Sequence, residues 1–217
     1  MNHQFRLGLC GAQGSGKTTL AKTFSEQTGV PYFDAGVRHI LKRNGFDCRA
    51  EMTLPEYFRM QKTVCKELFA SYPTESFVTD RTPIDVMAYT LAYVPPTIST
   101  DTKEGYDIEL GLTDIISELR LATEKHFSNI VMARGTFVSG QTDTRTDRAS
   151  VHLGYRLKIE SLIEGEMRRF SEFTNTAGVV FQVIPSHIQD LSKRVDSLIG
   201  VYEKHIDSYG YETSTFH

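Results

Sequence analysis

The residues Gly11-Ala12-Gln13-Gly14-Ser15-Gly16-Lys17-Thr18 have the spacing G-x-x-x-x-G-K-[ST], which suits the holding of a polyphosphate. Glycines let the backbone curl so that successive N–H groups point into one concavity. A helix beginning where the curl ends adds its positive pole. Lys17 can then reach the β- and γ-phosphates, and the Thr18 hydroxyl is placed to ligate Mg²⁺. Thr19 completes the nucleotide-binding stretch. The context fits: an apolar strand over residues 5–10 leads in, and a helix over 17–27 leads out, with Leu20, Ala21 and Phe24 on one side. The chain reads as a binder of a nucleoside triphosphate.

Four further groups could do chemistry on that ligand. Asp80 closes a short apolar run (76–80) and could hold Mg²⁺ directly or through water; the competing reading is a strand-end carboxylate capping the helix that opens at Thr82. Arg81 beside it can fork onto phosphate oxygens, and Asp85, one helical turn on, is an i,i+4 partner able to steady it. Asp34 and Arg38 are four residues apart after the second strand. Asp34 could orient an acceptor's sugar or act as a base, and Arg38 could bind an acceptor phosphate, or the two form a local pair. Arg145 and Arg148, three apart in a polar stretch, would share a helix face over the phosphates if that helix starts near Thr144, as arginines of a closing lid would. The alternative there is a charged loop.

These residues need elements to position them. Short apolar runs at 5–10, 30–34, 76–80, 130–133 and 179–184 read as strands, and helical spacing fills the intervals between them. Thr53 with Glu56 is a capping-box signature for the helix that runs to about Phe69. Pro83 sits near the first position of another helix. A loop over 94–105 contains Pro95-Pro96. Amphipathic spacing continues over 108–127, 153–170 and 188–202, and the tail from Ser208 carries no pattern. Alternation of strand and helix implies a parallel sheet with helices on both faces. Ligands of such sheets lie beyond the carboxyl ends of the strands. Those ends carry the phosphate-loop stretch, Asp34, Asp80-Arg81, Arg134 and Pro185.

Composition bounds the rest. One domain is the default for 217 residues, and a net charge of −3 gives no overall basic footprint for nucleic acid or an anionic membrane. Cys10, Cys48 and Cys65 are odd in number and widely spaced, so neither a disulfide framework nor a zinc site is expected. No apolar run approaches spanning length and no signal peptide fits before the first strand, which makes cytoplasm the expected compartment. The seven histidines lack H-E-x-x-H spacing, and G-x-S-x-G and the protein-kinase motif set are absent. Tyr57, Phe58, Tyr89 and Tyr93 could line a base pocket or simply be core.

On Gly11 to Thr19, Phe33-Asp34 with Arg38, Asp80-Arg81 with Asp85, and Arg145-x-x-Arg148, the chain resembles the P-loop nucleoside and nucleotide kinases. Val78-Thr79-Asp80-Arg81-Thr82-Pro83-Ile84-Asp85 looks most like the small phage-type deoxynucleoside monophosphate kinases, and is also similar to domains that phosphorylate ribosylnicotinamide. The resemblance implies one domain over 1–217, with a five-stranded parallel sheet of order 2-3-1-4-5 and a lid near 134–150. It implies ATP as donor and Mg²⁺ as cofactor, with Lys17 and Arg81 neutralising the transferring phosphates. Thr18 and Asp80 would organise the metal, Arg145 and Arg148 would act from the lid, and Pro185 would lie against the adenine. Host cytoplasm is the setting if the chain is phage-encoded, and homodimerisation is left open. Arg38, Arg43, Arg81, Arg134, Arg145 and Arg148 are more cations than one triphosphate requires, which favours a monophosphate acceptor. The alternatives are a nucleoside or ribosylnicotinamide acceptor, and a P-loop NTPase switch that is no kinase.

Overall fold

The computed structural model describes residues 4–47, 50–95, 97–135, 152–173 and 178–213. Five strands, β1 (Arg6–Cys10), β2 (Tyr32–Phe33), β3 (Phe77–Thr79), β4 (Asn129–Ala133) and β5 (Val180–Ile184), form one sheet in the order β2-β3-β1-β4-β5. Every pairing is parallel, as the spacing of the apolar runs implies. Seven helices are described: α1 (Lys17–Thr28), α2 (Val37–Arg43), α3 (Leu54–Ser71), α4 (Pro83–Tyr93), α5 (Lys103–His126), α6 (Leu153–Phe173) and α7 (Leu191–Thr213).

Two apolar layers follow from the period-2 alternation of buried strands. On one face Leu7, Leu9, Val78, Val131 and Ala133 pack with Leu20 and Phe24 of α1 and Val195 and Leu198 of α7. On the other, Cys10, Phe77, Ile130 and Met132 pack with α3 to α6 through residues such as Leu68, Met87, Ile115 and Ile163. Gly8 makes the second layer possible at the centre of the sheet: a Cβ there would stand 2.5 Å from Thr82 Cγ2 and 2.8 Å from the Phe127 ring. Its missing side chain lets the start of α4 lie directly on β1.

Helix ends hold up in detail. Thr53 and Glu56 close a reciprocal capping box on α3. Thr82 and Asp85 close a second on α4, where Asp85 had been read as a partner for Arg81. The tail from Ser208, for which the sequence carries no expectation, continues α7 to Thr213. Of the expected lid near 134–150, only Arg134 and Gly135 are described, and Arg145 and Arg148 lie outside the described residues. Cys10 and Cys65 are buried free thiols. Among the described residues no helix is long and apolar enough to cross a membrane.

Candidate active site

The loop between β1 and α1 is fastened from below, from within and from the side. Gly11 has φ +147°, and a Cβ on it would meet the Ala133 carbonyl oxygen at 2.5 Å. Only glycine fits against β4 there. The Gly11 amide donates to Asp85 Oδ1 at 3.2 Å. Lys17 Nζ folds back to donate to the carbonyls of Gly11 and Ala12, at 2.6 and 3.1 Å. Burial lowers the Lys17 pKa below its ordinary 10.5, against the upward pull of Asp85 and with the downward push of Arg81. Ser15 is buried, and its hydroxyl has no hydrogen-bond partner among the described residues. Its carbonyl accepts from Arg194 Nη1 at 2.9 Å.

Asp80 follows β3, and its Oδ2 accepts a short hydrogen bond from Thr18 Oγ1. The first turn of α1 and the end of β3 thus bring two hard oxygens into contact. A hard cation that keeps several waters fits such a pair, as Mg²⁺ does. Tyr32 shares this corner: burial first, then Asp80 and Asp34 and a hydrogen bond to Asp80, raise its hydroxyl well above the usual phenol range. Lys22 Nζ lies 5.4 Å from the centre of the Tyr32 ring.

Arg81 is half-buried, with its guanidinium 5.7 Å from the Tyr89 ring centre. Burial pushes its pKa down, but Asp85, Tyr89 and Asp80 together raise it, so it stays cationic. Its carbonyl accepts from Tyr72 Oη at 3.0 Å. Asp85, expected on the substrate side, is fully buried. One oxygen takes the Gly11 amide; the other takes the Thr82 amide and hydroxyl, at 2.9 and 2.8 Å. It lies beneath the site and joins the phosphate loop to the start of α4.

The other expected residues are distributed unevenly. Asp34 is exposed and turns the chain into α2 by accepting the Gly36 amide at 2.9 Å, while Arg38 is exposed on α2. Arg43 points elsewhere, ion-paired with Glu67. Arg134 is held by Glu164 at 2.5 Å and so is engaged within the protein. Pro185 opens the turn after β5, its carbonyl accepting the Ile188 amide at 3.1 Å. Gln13 is half-buried and Thr19 exposed beside the loop. Of the four aromatics, Tyr57 and Tyr93 stack on one another at 3.8 Å and 4°, which closes their facing surfaces to any base. Tyr57 Oη donates to the Tyr89 carbonyl, Tyr93 Oη donates to the Met52 carbonyl, and Phe58 is core.

Four residues near the loop escape the sequence reading. Arg194 reaches it from α7. Arg156, in the first turn of α6, has its guanidinium 3.9 Å from where a Gly14 Cβ would stand. Glu160, one turn further, accepts the Gly135 amide at 2.8 Å. Burial raises its pKa, while Gly135, Arg134 and Lys17 oppose that. Tyr32 is the fourth. None of these belongs to a local motif; only i,i+4 spacing of Arg156, Glu160 and Glu164 on α6 hints at one functional face.

The sheet order and loop define a class: the fold is that of the P-loop kinases. A sequence profile described as an AAA domain matches residues 6–112, just under half of the 217. Solved structures match more widely. Deoxyadenosine kinase from M. mycoides, with products dCMP and dCDP, has a TM-score of 0.58 at 13% identity, covering 91% of this chain and 98% of that one. Thymidylate kinase from Candida albicans has a TM-score of 0.53 at 14% identity, covering 93% and 92%. NadR protein in complex with NAD and AMP-PNP has a TM-score of 0.56 at 16% identity over 93% of this chain. The chain spans about half of NadR, 49% of its length. No curated protein sequence matches. At 13–16% identity these likenesses establish the fold.

Proposed function

We propose that the chain transfers the γ-phosphate of ATP to a (deoxy)nucleoside monophosphate, giving the diphosphate. An oxygen of the acceptor phosphate would form the new bond to the γ-phosphorus as the bond to the β–γ bridging oxygen breaks. The observation that carries this reading is the convergence of Lys17, Thr18, Asp80 and Arg81 at neighbouring strand ends, with Arg81 kept cationic over Tyr89. Phosphoryl transfer asks mainly for positioning and for cations around the equatorial oxygens. Lys17 would leave the Gly11 and Ala12 carbonyls for the β- and γ-phosphates. Thr18 and Asp80 would hold Mg²⁺, which when bound neutralises phosphate charge. Arg81 would face the acceptor side, with Arg38 at the mouth. Arg145 and Arg148 stay in this proposal as the lid's arginines, and Pro185 as the donor-base neighbour.

A second reading, an unphosphorylated nucleoside acceptor, is favoured by one observation. Arg43 and Arg134, counted as cations for the cleft, are committed to Glu67 and Glu164. In that case Asp34 or Asp80 would have to serve as base. ADP formation from Mg-ATP, measured against matched nucleosides and monophosphates, separates the readings. Turnover with monophosphates alone supports the first and turnover with nucleosides alone the second. Hydrolysis indifferent to any acceptor would remove both and leave a switch-type NTPase.

A further inference from the structure

Arg194 hydrogen-bonds the phosphate loop from far along the chain. Asp190 caps α7: its Oδ1 accepts the Lys193 amide at 3.1 Å and the Ser192 hydroxyl at 2.8 Å, which fixes the first turn of the helix. Val195 and Leu198 lock the same turns into the core with no exposed surface. Arg194 is therefore carried on a rigid mount. Its two terminal nitrogens diverge, Nη1 to the Ser15 carbonyl and Nη2 to the Arg134 carbonyl, both at 2.9 Å. One guanidinium thus joins the phosphate loop to the end of β4.

Peptide planarity turns that contact into a statement about function. In a trans peptide the carbonyl of one residue and the N–H of the next point in opposite directions. With the Ser15 oxygen drawn toward α7, the Gly16 N–H is directed to the opposite side of the loop. Gly16 has φ +84° and would accept no rigid side chain to fix that peptide by itself. The Arg194 guanidinium stands 3.5 Å from where a Gly16 Cβ would be. Its Nε, buried, has no hydrogen-bond partner among the described residues.

We propose that Arg194 is a positioning residue for the donor: by holding the Ser15 carbonyl outward it presets the Gly16 amide toward the polyphosphate, and it couples the seat of α7 to the shape of the loop. This rests on the reading of the loop as a triphosphate site, and it concerns the donor and not the acceptor. A loop preset in this way binds phosphate without a reorganisation cost at the moment of binding.

The test is equilibrium binding of a fluorescent ATP analogue to the intact chain, with acceptor KM from steady-state turnover as the control. Arg194→Ala should weaken binding about 10-fold, the scale of one hydrogen bond from a charged donor. Arg194→Lys should lose less, and added guanidinium at millimolar levels should restore part of the alanine variant's affinity. Acceptor KM, read separately from steady-state turnover, should stay within about twofold of wild type, because the loop contact is to Ser15 and the other is to the backbone at the end of β4. Unchanged analogue affinity in Arg194→Ala would overturn the proposal. So would an equal loss of donor and acceptor affinity with no guanidinium rescue, which marks a merely structural role. Failure of the wild-type chain to bind the analogue would instead remove the triphosphate reading beneath it.

Discussion

The phosphate-loop side of the cleft and the Asp34–Arg38 side are built differently. On the first, polar groups along the loop are tied to other parts of the protein: Gly11 N with Asp85, Gly11 and Ala12 carbonyls with Lys17, Thr18 with Asp80, Ser15 O with Arg194. On the second, Asp34 and Arg38 are exposed at the edge strand and a two-turn helix. A preset loop suits a ligand that is the same in every cycle. An exposed, short-element side suits a ligand whose entry requires the surface to adjust. On the proposed function, the difference would assign rigidity to the invariant donor and adaptability to the acceptor.

Substitutions that break this contrast should differ in kind as well as in size. Lys17→Ala removes the cation that, on the proposed function, leaves the loop carbonyls for the phosphates, and ATP-dependent turnover should fall about a thousandfold, read as steady-state ADP formation. Asp85→Ala strips three donors of a fully buried carboxylate, and should lower the unfolding free energy by about 3 kcal/mol in urea titration while also weakening donor binding. Arg81→Ala should act on the other side, raising acceptor KM about 30-fold with a small change in donor KM. Arg38→Ala, exposed on α2, should raise acceptor KM only about threefold. If Arg38→Ala and Arg81→Ala both leave acceptor KM unchanged, the monophosphate assignment is wrong.

The pH dependence sharpens the same contrast. The folded chain lowers the Lys17 pKa below 10.5, mainly by burial. Between the folded value and 10.5 the unfolded state binds the extra proton, so this group's contribution to stability rises with pH through that window. Donor affinity does the reverse there, because the neutral amine no longer attracts phosphate. Titration of analogue binding should therefore show an alkaline loss that begins below pH 10.5 while the stability contribution of Lys17 improves, and Lys17→Met should abolish both trends.

Much of this was legible in the chain. The loop motif between an apolar strand and an amphipathic helix declares itself locally, and the parallel sheet follows from alternation, whereas the strand order comes only with the resemblance. Asp85 was read from its i,i+4 relation to Arg81, whereas its three-residue spacing from Thr82 made the stronger local bond. Arg194, Arg156 and Glu160 were not legible, because their partners lie far off in sequence: Ser15 is 179 residues from Arg194. Such contacts are set by how α6 and α7 dock on the sheet, which amphipathic spacing predicts only as burial. The excess of arginines in the cleft was an overcount for the same reason. Glu164 lies 30 residues from Arg134, and only packing brings the two together.

ADP formation from Mg-ATP against a panel of nucleoside monophosphates, deoxynucleoside monophosphates and the matching nucleosides tests the central claim most directly. A kinase with a preset donor loop and an adaptable acceptor side gives turnover that requires an acceptor and is supported by one or several monophosphates. ADP formation at the same rate with every acceptor and with none would contradict it.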